Sequence, residues 1–344
     1  MSHITDFLPD AEVGVPNLSH SAMANLAKCP RLFLLRDVCR LTFGGISEPL
    51  LRGQLAHLAL ATLWRGGTLK DADAVVDTAC HNLSEWVLEQ GLAWGDEIQD
   101  KITHCKGVAL VAVDHLWGSG TISREHYEVL GVEEVLLRTI DNFQWKGVLD
   151  LRIRDKRTGL VHLLDWKFTS KAPREYLRGT TFGWQPRTYQ RLTQTDENKP
   201  VGLMYVVVQT PTIKWKAAQQ WDDYLTECRD WYAGRAGSCA GCKWDHTKRA
   251  GAEQTILPHL VPFVWDEISD LTFDAAVLSF KYNATQLPTL QNFPPLGELA
   301  GQCGTCEFHK LCSRDVEDWR NVKGLMPKDA IPTVGDPSDH QLAE

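Results

Sequence analysis

Asp150, Asp165 and Lys167 are the residues of this 344-residue chain whose types and spacing best suit chemistry. In Val161-His-Leu-Leu-Asp165-Trp-Lys167-Phe168, a period of two puts Asp165 and Lys167 on one face of a predicted strand and Leu164, Trp166 and Phe168 on the other. The run Val148-Leu-Asp150-Leu-Arg152-Ile-Arg154 alternates likewise, with Leu149, Leu151 and Ile153 on one side and Asp150, Arg152 and Arg154 on the other. Asp155-Lys-Arg-Thr-Gly159 carries hairpin-turn residues, so the two strands are expected to be adjacent and antiparallel, with Asp150 beside Asp165. Two carboxylates that close repel unless a cation lies between them, and hard oxygen ligands with open positions suit Mg2+ or Mn2+. A lysine two residues on can orient or deprotonate an attacking water, which makes metal-assisted hydrolysis the chemistry on offer. A solvated strand face with a chance ion pair uses the same residue types, so D-x-K alone does not decide.

Further groups stand in a telling order. Gly53-Gln-Leu-Ala-His57 lies in a helical pattern whose apolar positions include Leu51, Leu55 and Leu58. Gly147 precedes Asp150 by three residues, and Gln185-Pro-Arg-Thr-Tyr189 puts two polar groups one helical turn apart, with Pro186 tolerated in the first turn. Taken together, G-x3-H, G-x2-D, D-x-K and Q-x3-Y resemble the RecB-like branch of the PD-(D/E)XK nucleases. That branch includes the RecB and AddAB nuclease domains and the CRISPR-associated single-strand exonucleases. The resemblance implies an α/β fold whose mixed central sheet is flanked by helices. It implies metal ligation by His57, Asp150, Asp165 and the Trp166 carbonyl, catalysis by Lys167, and organisation of DNA and site by Gln185 and Tyr189. It also implies a DNA exonuclease of single strands or ends, leaving a 5'-phosphate and a 3'-hydroxyl. The setting would be phage or prokaryotic recombination, repair, replication or CRISPR adaptation, with a helicase, recombinase or integrase as candidate partner.

Cysteine spacing adds an independent line. Cys303-Gly-Thr-Cys306 runs on to Cys312 near the C-terminus, while Cys29-Pro-Arg closes an N-terminal helical segment. In iron-sulfur members of the same branch, one cysteine before the nuclease core joins three after it around a [4Fe-4S] cluster, and the resemblance assigns Cys29, Cys303, Cys306 and Cys312 to it. Four thiolates are ordinary ligation for such a cluster, and closing a loop of about 270 residues would hold a loose terminal segment. A zinc ribbon on the same four cysteines, or Cys39 in place of Cys29, remains open. Cys228, Cys239, Cys242 and His246 have zinc-compatible spacing as a second cluster, whereas Cys80 and Cys105 fall in helical patterns as small buried hydrophobes.

These groups need a frame. Residues 1–17 read as a loose acidic arm, and Ser19 or Ser21 is a reasonable N-cap for the first helix. Residues 18–120 read as a helical lobe carrying Cys29 and His57, with breaks near Pro30, Gly44-Gly45, Gly66-Gly67 and Gly91. A nuclease-like core is expected over 121–210: strands near 127–139, 143–154 and 160–168, the Gln185 helix, then a strand at 201–209. Glu133 and Glu134 fall in the first of these strands, one of them a candidate extra ligand but better read as solvated. Residues 211–260 read as a polar insertion, 261–323 as C-terminal helices with the cysteine clasp, and 324–344 as a disordered tail.

Composition agrees with a globular enzyme. With 43% hydrophobic residues the chain can bury a large core, and no apolar run approaches a membrane span. Ten cysteines in metal-like spacing, without a signal segment, suggest a reducing cytoplasm. A net charge of −8 is unusual for a DNA-binding protein. Yet Lys146, Arg152, Arg154, Lys156, Arg157, Lys171, Arg174, Arg178, Arg187 and Arg191 crowd around the motifs and suggest a basic stripe. Trp145, Trp166 and Trp184 lie near enough for a base to stack on an exposed ring. A catalytically silent or partner-activated accessory protein and a zinc-ribbon interaction protein are the alternatives.

Overall fold

The computed structural model describes residues 8, 13–43, 47–89, 95–180, 183–216, 219–233, 255–263, 271–286, 288–289, 293, 303, 306–314, 319 and 325–328. Helix α1 (His20–Lys28) begins at Ser19, whose hydroxyl accepts the Ala22 N–H at 3.2 Å. Cys29 ends it, and Pro30 then opens the short α2 (Pro30–Phe33), which runs into a π turn at Leu34–Val38. A strand follows where helix was expected, β1 (Leu41–Phe43). Three long helices complete the lobe: α3 (Glu48–Trp64), α4 (Leu69–Glu89) and α5 (Gly95–Gly118).

Among the described residues, the central sheet has five strands in the order β2-β3-β4-β5-β6. They are β2 (Tyr127–Ile140), β3 (Phe143–Asp155), β4 (Val161–Thr169), β5 (Gly202–Gln209) and β6 (Ile256–Pro262). Among the described strands of this sheet, only β4 and β5 run parallel. Their crossover carries α6 (Pro173–Thr180) and α7 (Trp184–Leu192), as a parallel connection requires. The β3–β4 hairpin forms as expected, because Asp155 Oδ1 accepts the Arg157 and Thr158 amides and Gly159 takes a φ of +72°. Segment 256–262 reads in the sequence as insertion and terminal helix; it is an edge strand antiparallel to β5. Helix α8 (Trp221–Tyr232) lies against α5, and α9 (Leu271–Ala284) and α10 (His309–Cys312) follow.

Each face of the sheet buries its own core. Leu164, Trp166, Val206 and Val208 pack with α3, α4 and α5. Leu163, Leu203, Tyr205 and Val207 pack with α1, α2, α7 and α9. Alternation along β4 thus separates Trp166 from Asp165 and Lys167, as the period of two requires. Trp145 and Trp166 are each only 2% exposed, so they belong to the cores and are not platforms for bases.

The two ends of the chain are clasped. Strand β7 (Leu325–Pro327) pairs antiparallel with β1, although the sequence here reads as the start of a disordered tail. Glu307 accepts from Thr42 Oγ1 at 3.0 Å and pairs with Arg36 at 3.1 Å, and Phe43 packs on Phe308. Buried Arg31 donates from Nε to the Phe293 carbonyl at 2.6 Å and lies over the Trp319 ring. Among the described residues, no helix is long and apolar enough to cross a membrane.

Candidate metal centre

The site is a fork in the sheet. β3 and β4 pair only from Leu151↔Leu164 to Arg154↔Val161, and beyond that point they diverge. Divergence leaves backbone groups on both facing edges that must find other partners. On β3, the Lys146 N–H donates to the Leu18 carbonyl at 2.9 Å, and the Val148 carbonyl accepts the Tyr189 hydroxyl. On β4, the Trp166 N–H donates to Asp150 Oδ2 at 2.6 Å, while the Trp166 carbonyl lies 3.1 Å from His57 Nε2. The Leu18 backbone and the side chains of Tyr189, Asp150 and His57 therefore complete what the missing strand partner would have supplied.

His57 comes from α3, which packs across this fork on the Trp166 side. Its Nδ1 lies 3.4 Å from Asp150 Oδ1 and 3.9 Å from Glu133 Oε1. One ligand atom from each of His57, Glu133 and Asp150 falls within 4.8 Å of the others. Glu133 sits at a non-glycine φ of +51°, a conformation that costs about 1–3 kcal/mol and collects at functional sites. The sequence reading preferred a solvated position for it. A signal was available: the two-residue turn Asp141-Asn142, both at positive φ, sets a register in which Val132 faces Leu151 and Glu134 faces Leu149. Counting from that turn puts Glu133 opposite Asp150.

Asp165 and Lys167 lie one step along β4 and face the other core. Gln185 Nε2 donates to Asp165 Oδ1 at 2.6 Å, the other oxygen pairs with the Lys167 ammonium, and the Tyr205 hydroxyl lies 3.3 Å from Gln185 Oε1. Tyr205, paired in register with Asp165 on β5, was missed because a tyrosine within an apolar strand carries no motif. Gly147 explains the glycine ahead of Asp150. A Cβ there would stand 2.8 Å from both Tyr189 Cε1 and Leu192 Cδ1, so only glycine lets α7 close on β3 and bring Gln185 to Asp165. Gly53 meets no such constraint, since its Cβ would point into open space.

The electrostatics fit a cation site. Burial would lower the His57 imidazole, yet Asp150 and Glu133 outweigh it and hold it at about 9. Burial, with Asp150 adding to it, pushes Glu133 up to about 7. Burial also opposes ionisation of Asp150, but His57, Lys167 and the Trp166 amide hold its carboxyl below the usual range. For Lys167, burial lowers and the two aspartates raise, and the aspartates win, so the side chain is an ammonium. Burial, with Asp150 adding to it, raises Asp165 against the pull of Lys167, so three carboxylates and two cationic groups share this corner, a set of oxygens that a divalent ion would suit. Beside His57, Glu133 and Asp150 lies a cleft of about 350 Å³, walled by Pro49, Leu50, Gly53, Leu58 and Ala61 of α3 and by Val148 of β3.

Other expected groups divide. The thiols of Cys29, Cys303, Cys306 and Cys312 are all free and half-buried. Cys306 N–H donates to the Cys303 carbonyl at 3.1 Å and Cys312 N–H to Phe308 at 2.9 Å, which folds the three C-terminal thiols into successive turns. Burial pushes Cys312 up to about 11, opposed by Arg31, while Cys306, Cys29 and Cys303 are all near enough to add to the rise. Cys39 is instead sealed in the core and pushed up to about 12 by burial. Cys228 is also a core thiol, packed with Val108, Val111 and Tyr224, and Cys239, Cys242 and His246 lie outside the described residues. Cys80 and Cys105 are buried as expected. Part of the basic stripe is neutralised: Arg152 pairs with Glu134 and Asp196, Arg154 with Glu128, and Arg191 with Asp274. Lys146, Arg157, Lys171, Arg174 and Arg178 are exposed.

Comparison with curated proteins finds no match. The family model of the PD-(D/E)XK nuclease superfamily matches residues 17–313, a span that takes in the whole central sheet, the fork and the four clasp cysteines, and the chain belongs to that superfamily.

Proposed function

We propose that the protein is a Mg2+- or Mn2+-dependent deoxyribonuclease, exonucleolytic on single strands or DNA ends. The observation that carries this reading is the convergence of His57, Glu133 and Asp150, with the Trp166 carbonyl at the other ring nitrogen of His57 and the Lys167–Asp165 pair adjoining. The residues present fit a hard divalent ion: two carboxylates and an imidazole share one corner, and the backbone carbonyl beside the imidazole lacks a strand partner on β3 because β3 leaves β4 there. His57, Asp150, Asp165 and the Trp166 carbonyl would hold the ion, joined by Glu133. Such an ion, when bound, supplies a water of lowered pKa and neutralises charge on the scissile phosphate. Lys167, kept protonated by its aspartates, acts as a cation: it orients the attacking water and stabilises the charge that develops on the phosphorane. Gln185 holds Asp165 in place, and Tyr189 locks α7 to β3. An intact set of acids, histidine and lysine favours an active enzyme over a silent accessory subunit.

The four clasp cysteines support a [4Fe-4S] cluster with a structural role. Cys29, Cys303 and Cys306 all lie near enough to act on Cys312, which supports ligation by these four thiols, and the family resemblance favours the iron-sulfur cluster over zinc. The cysteine usage favours a reducing cytoplasm, and any motor for processive action would come from a helicase, recombinase or integrase partner. The test is incubation of anaerobically purified protein with end-labelled single- and double-stranded DNA in Mg2+, Mn2+ or EDTA. Cleavage that EDTA abolishes is expected, with the label giving its polarity. Folded, metal-supplied protein that cuts neither substrate would overturn the proposal.

A further inference from the structure

We propose that the uncovered face of the β2–β3 hairpin is a track on which the bases of a single nucleic-acid strand lie as its backbone enters the metal centre. The inference rests on the nuclease reading and adds the surface and the form of substrate.

The hairpin's two faces differ. One is buried: Leu136, Trp145 and Leu149 enter the core, with Trp145 against Phe273 of α9. On the other face, the register pairs Val135 with Val148, Leu137 with Lys146 and Thr139 with Gln144. Gln144 Nε2 donates to Thr139 Oγ1 at 2.8 Å, which shows that these pairs share a side. Val148 also lines the cleft beside Asp150, so the same side leads directly into the site. Along it Val135 is 58% exposed, Leu137 50% and Val148 42%, and Leu50 on α3 closes the mouth of the cleft at 56%. Contiguous exposed aliphatic side chains on a sheet face mark a surface that something covers.

The charge pattern chooses the occupant. Between the acids Glu133 and Asp150 at one end and Lys146 about 13 Å further along β3, the hairpin's own side chains on this face, all among the described residues, carry no charge. A duplex turns phosphates outward and requires cations over its whole footprint. A single strand can instead turn its bases onto an apolar surface and leave its phosphates to the metal centre, to Arg65 of the cleft wall and to Lys146. Bases next to the scissile phosphate would thus rest on Val148, Val135 and Leu137, with Leu50 opposite and Lys146 on a phosphate beyond.

The probe is a fluorescent oligothymidylate, compared with an abasic strand of equal length and with a duplex. Binding is followed by anisotropy for the full-length protein and for a Val135→Ser/Leu137→Ser variant, both side chains being exposed. The wild type should bind the oligothymidylate better than the abasic strand. The variant, having lost apolar contact area, should bind oligothymidylate about tenfold more weakly, with its abasic-strand binding, Mn2+ affinity and melting temperature unchanged. Equal binding of the abasic strand by wild type, or unchanged oligothymidylate binding by the variant, would overturn the track. If cleavage of DNA still required metal in that case, the nuclease reading would stand without it. Loss of self-association in the variant, with DNA binding intact, would assign the face to a protein and likewise overturn the proposal.

Discussion

Replacing Gly147 by alanine probes how the helix α7 is set against the fork. The new methyl would lie 2.8 Å from Tyr189 Cε1 and from Leu192 Cδ1. Carbon contacts are favourable only from about 3.5 Å, so α7 or β3 must yield by roughly 0.7 Å. Neither has room: Tyr189 is 1% exposed with its hydroxyl bound to the Val148 carbonyl, and Leu192 is fully buried. Overpacking of this kind costs about 1–3 kcal/mol. For a chain of 344 residues unfolding as a unit, with an unfolding entropy of about 2.1 cal/mol/K per residue, the middle of that range lowers Tm by about 3 °C. The same shift carries Gln185 away from Asp165, and misplacing a positioning group by about 1 Å costs up to roughly 100-fold in rate. The assay is thermal unfolding together with single-turnover cleavage in Mn2+, beside Gly53→Ala as control. Gly53 has open space at its Cβ and lies inside α3, so alanine there should stabilise by about 0.5–1 kcal/mol. A Gly147→Ala protein with wild-type Tm and rate would refute the close approach.

Tyr205→Phe removes the hydroxyl that fixes the Gln185 amide, so cleavage should fall about fivefold. Combined with Gln185→Ala, which should cost more, it should add almost nothing; losses that multiply would show that Tyr205 acts elsewhere. In chelator, stability should depend on pH with opposite signs at two histidines. His57, among Asp150, Glu133 and Lys167, is raised from 6.5 to about 9: its contribution is full below 6.5 and lost as pH rises through 9. His20 is lowered to about 4 by burial and then by Lys167, so it costs stability as pH falls from 6.5 towards 4. His57→Gln should flatten the alkaline limb and His20→Gln the acid limb of a Tm profile, and unchanged limbs would contradict both assignments. Cys303→Ser should lose absorbance at about 400 nm and melt earlier; a colourless wild type purified without oxygen would dismiss the iron-sulfur cluster.

Strand periodicity made the β4 arm legible, because Asp165 and Lys167 interrupt apolar alternation there, whereas on β3 the expected single face of Leu149, Leu151 and Ile153 is split at Asp150, Leu149 entering one core and Leu151 and Ile153 the other. Helix breaks at Pro30 and at Gly66-Gly67 were equally plain, since those residues act through their own backbone. Long-range pairing was the hidden part. β1 and β7 are three residues each, too short for a period, and they are strands only because the chain ends meet. β6, with Pro258 and Pro262 in an edge position, resembles a loop until β5 is beside it. The basic stripe misled because sequence shows a cation but not its acid partner, as with Arg152 and distant Asp196. Glu133 was recoverable by counting from a turn, whereas Tyr205 required the parallel register of β4 and β5.

The most direct test of the account is cleavage of end-labelled single-stranded DNA by wild-type and Lys167→Ala proteins, on samples whose Mn2+ binding has been measured. Lys167 contributes charge and no ligand atom, so the variant should still bind Mn2+ yet lose at least about 100-fold in rate. A variant that binds the ion and cuts at the wild-type rate would contradict the site.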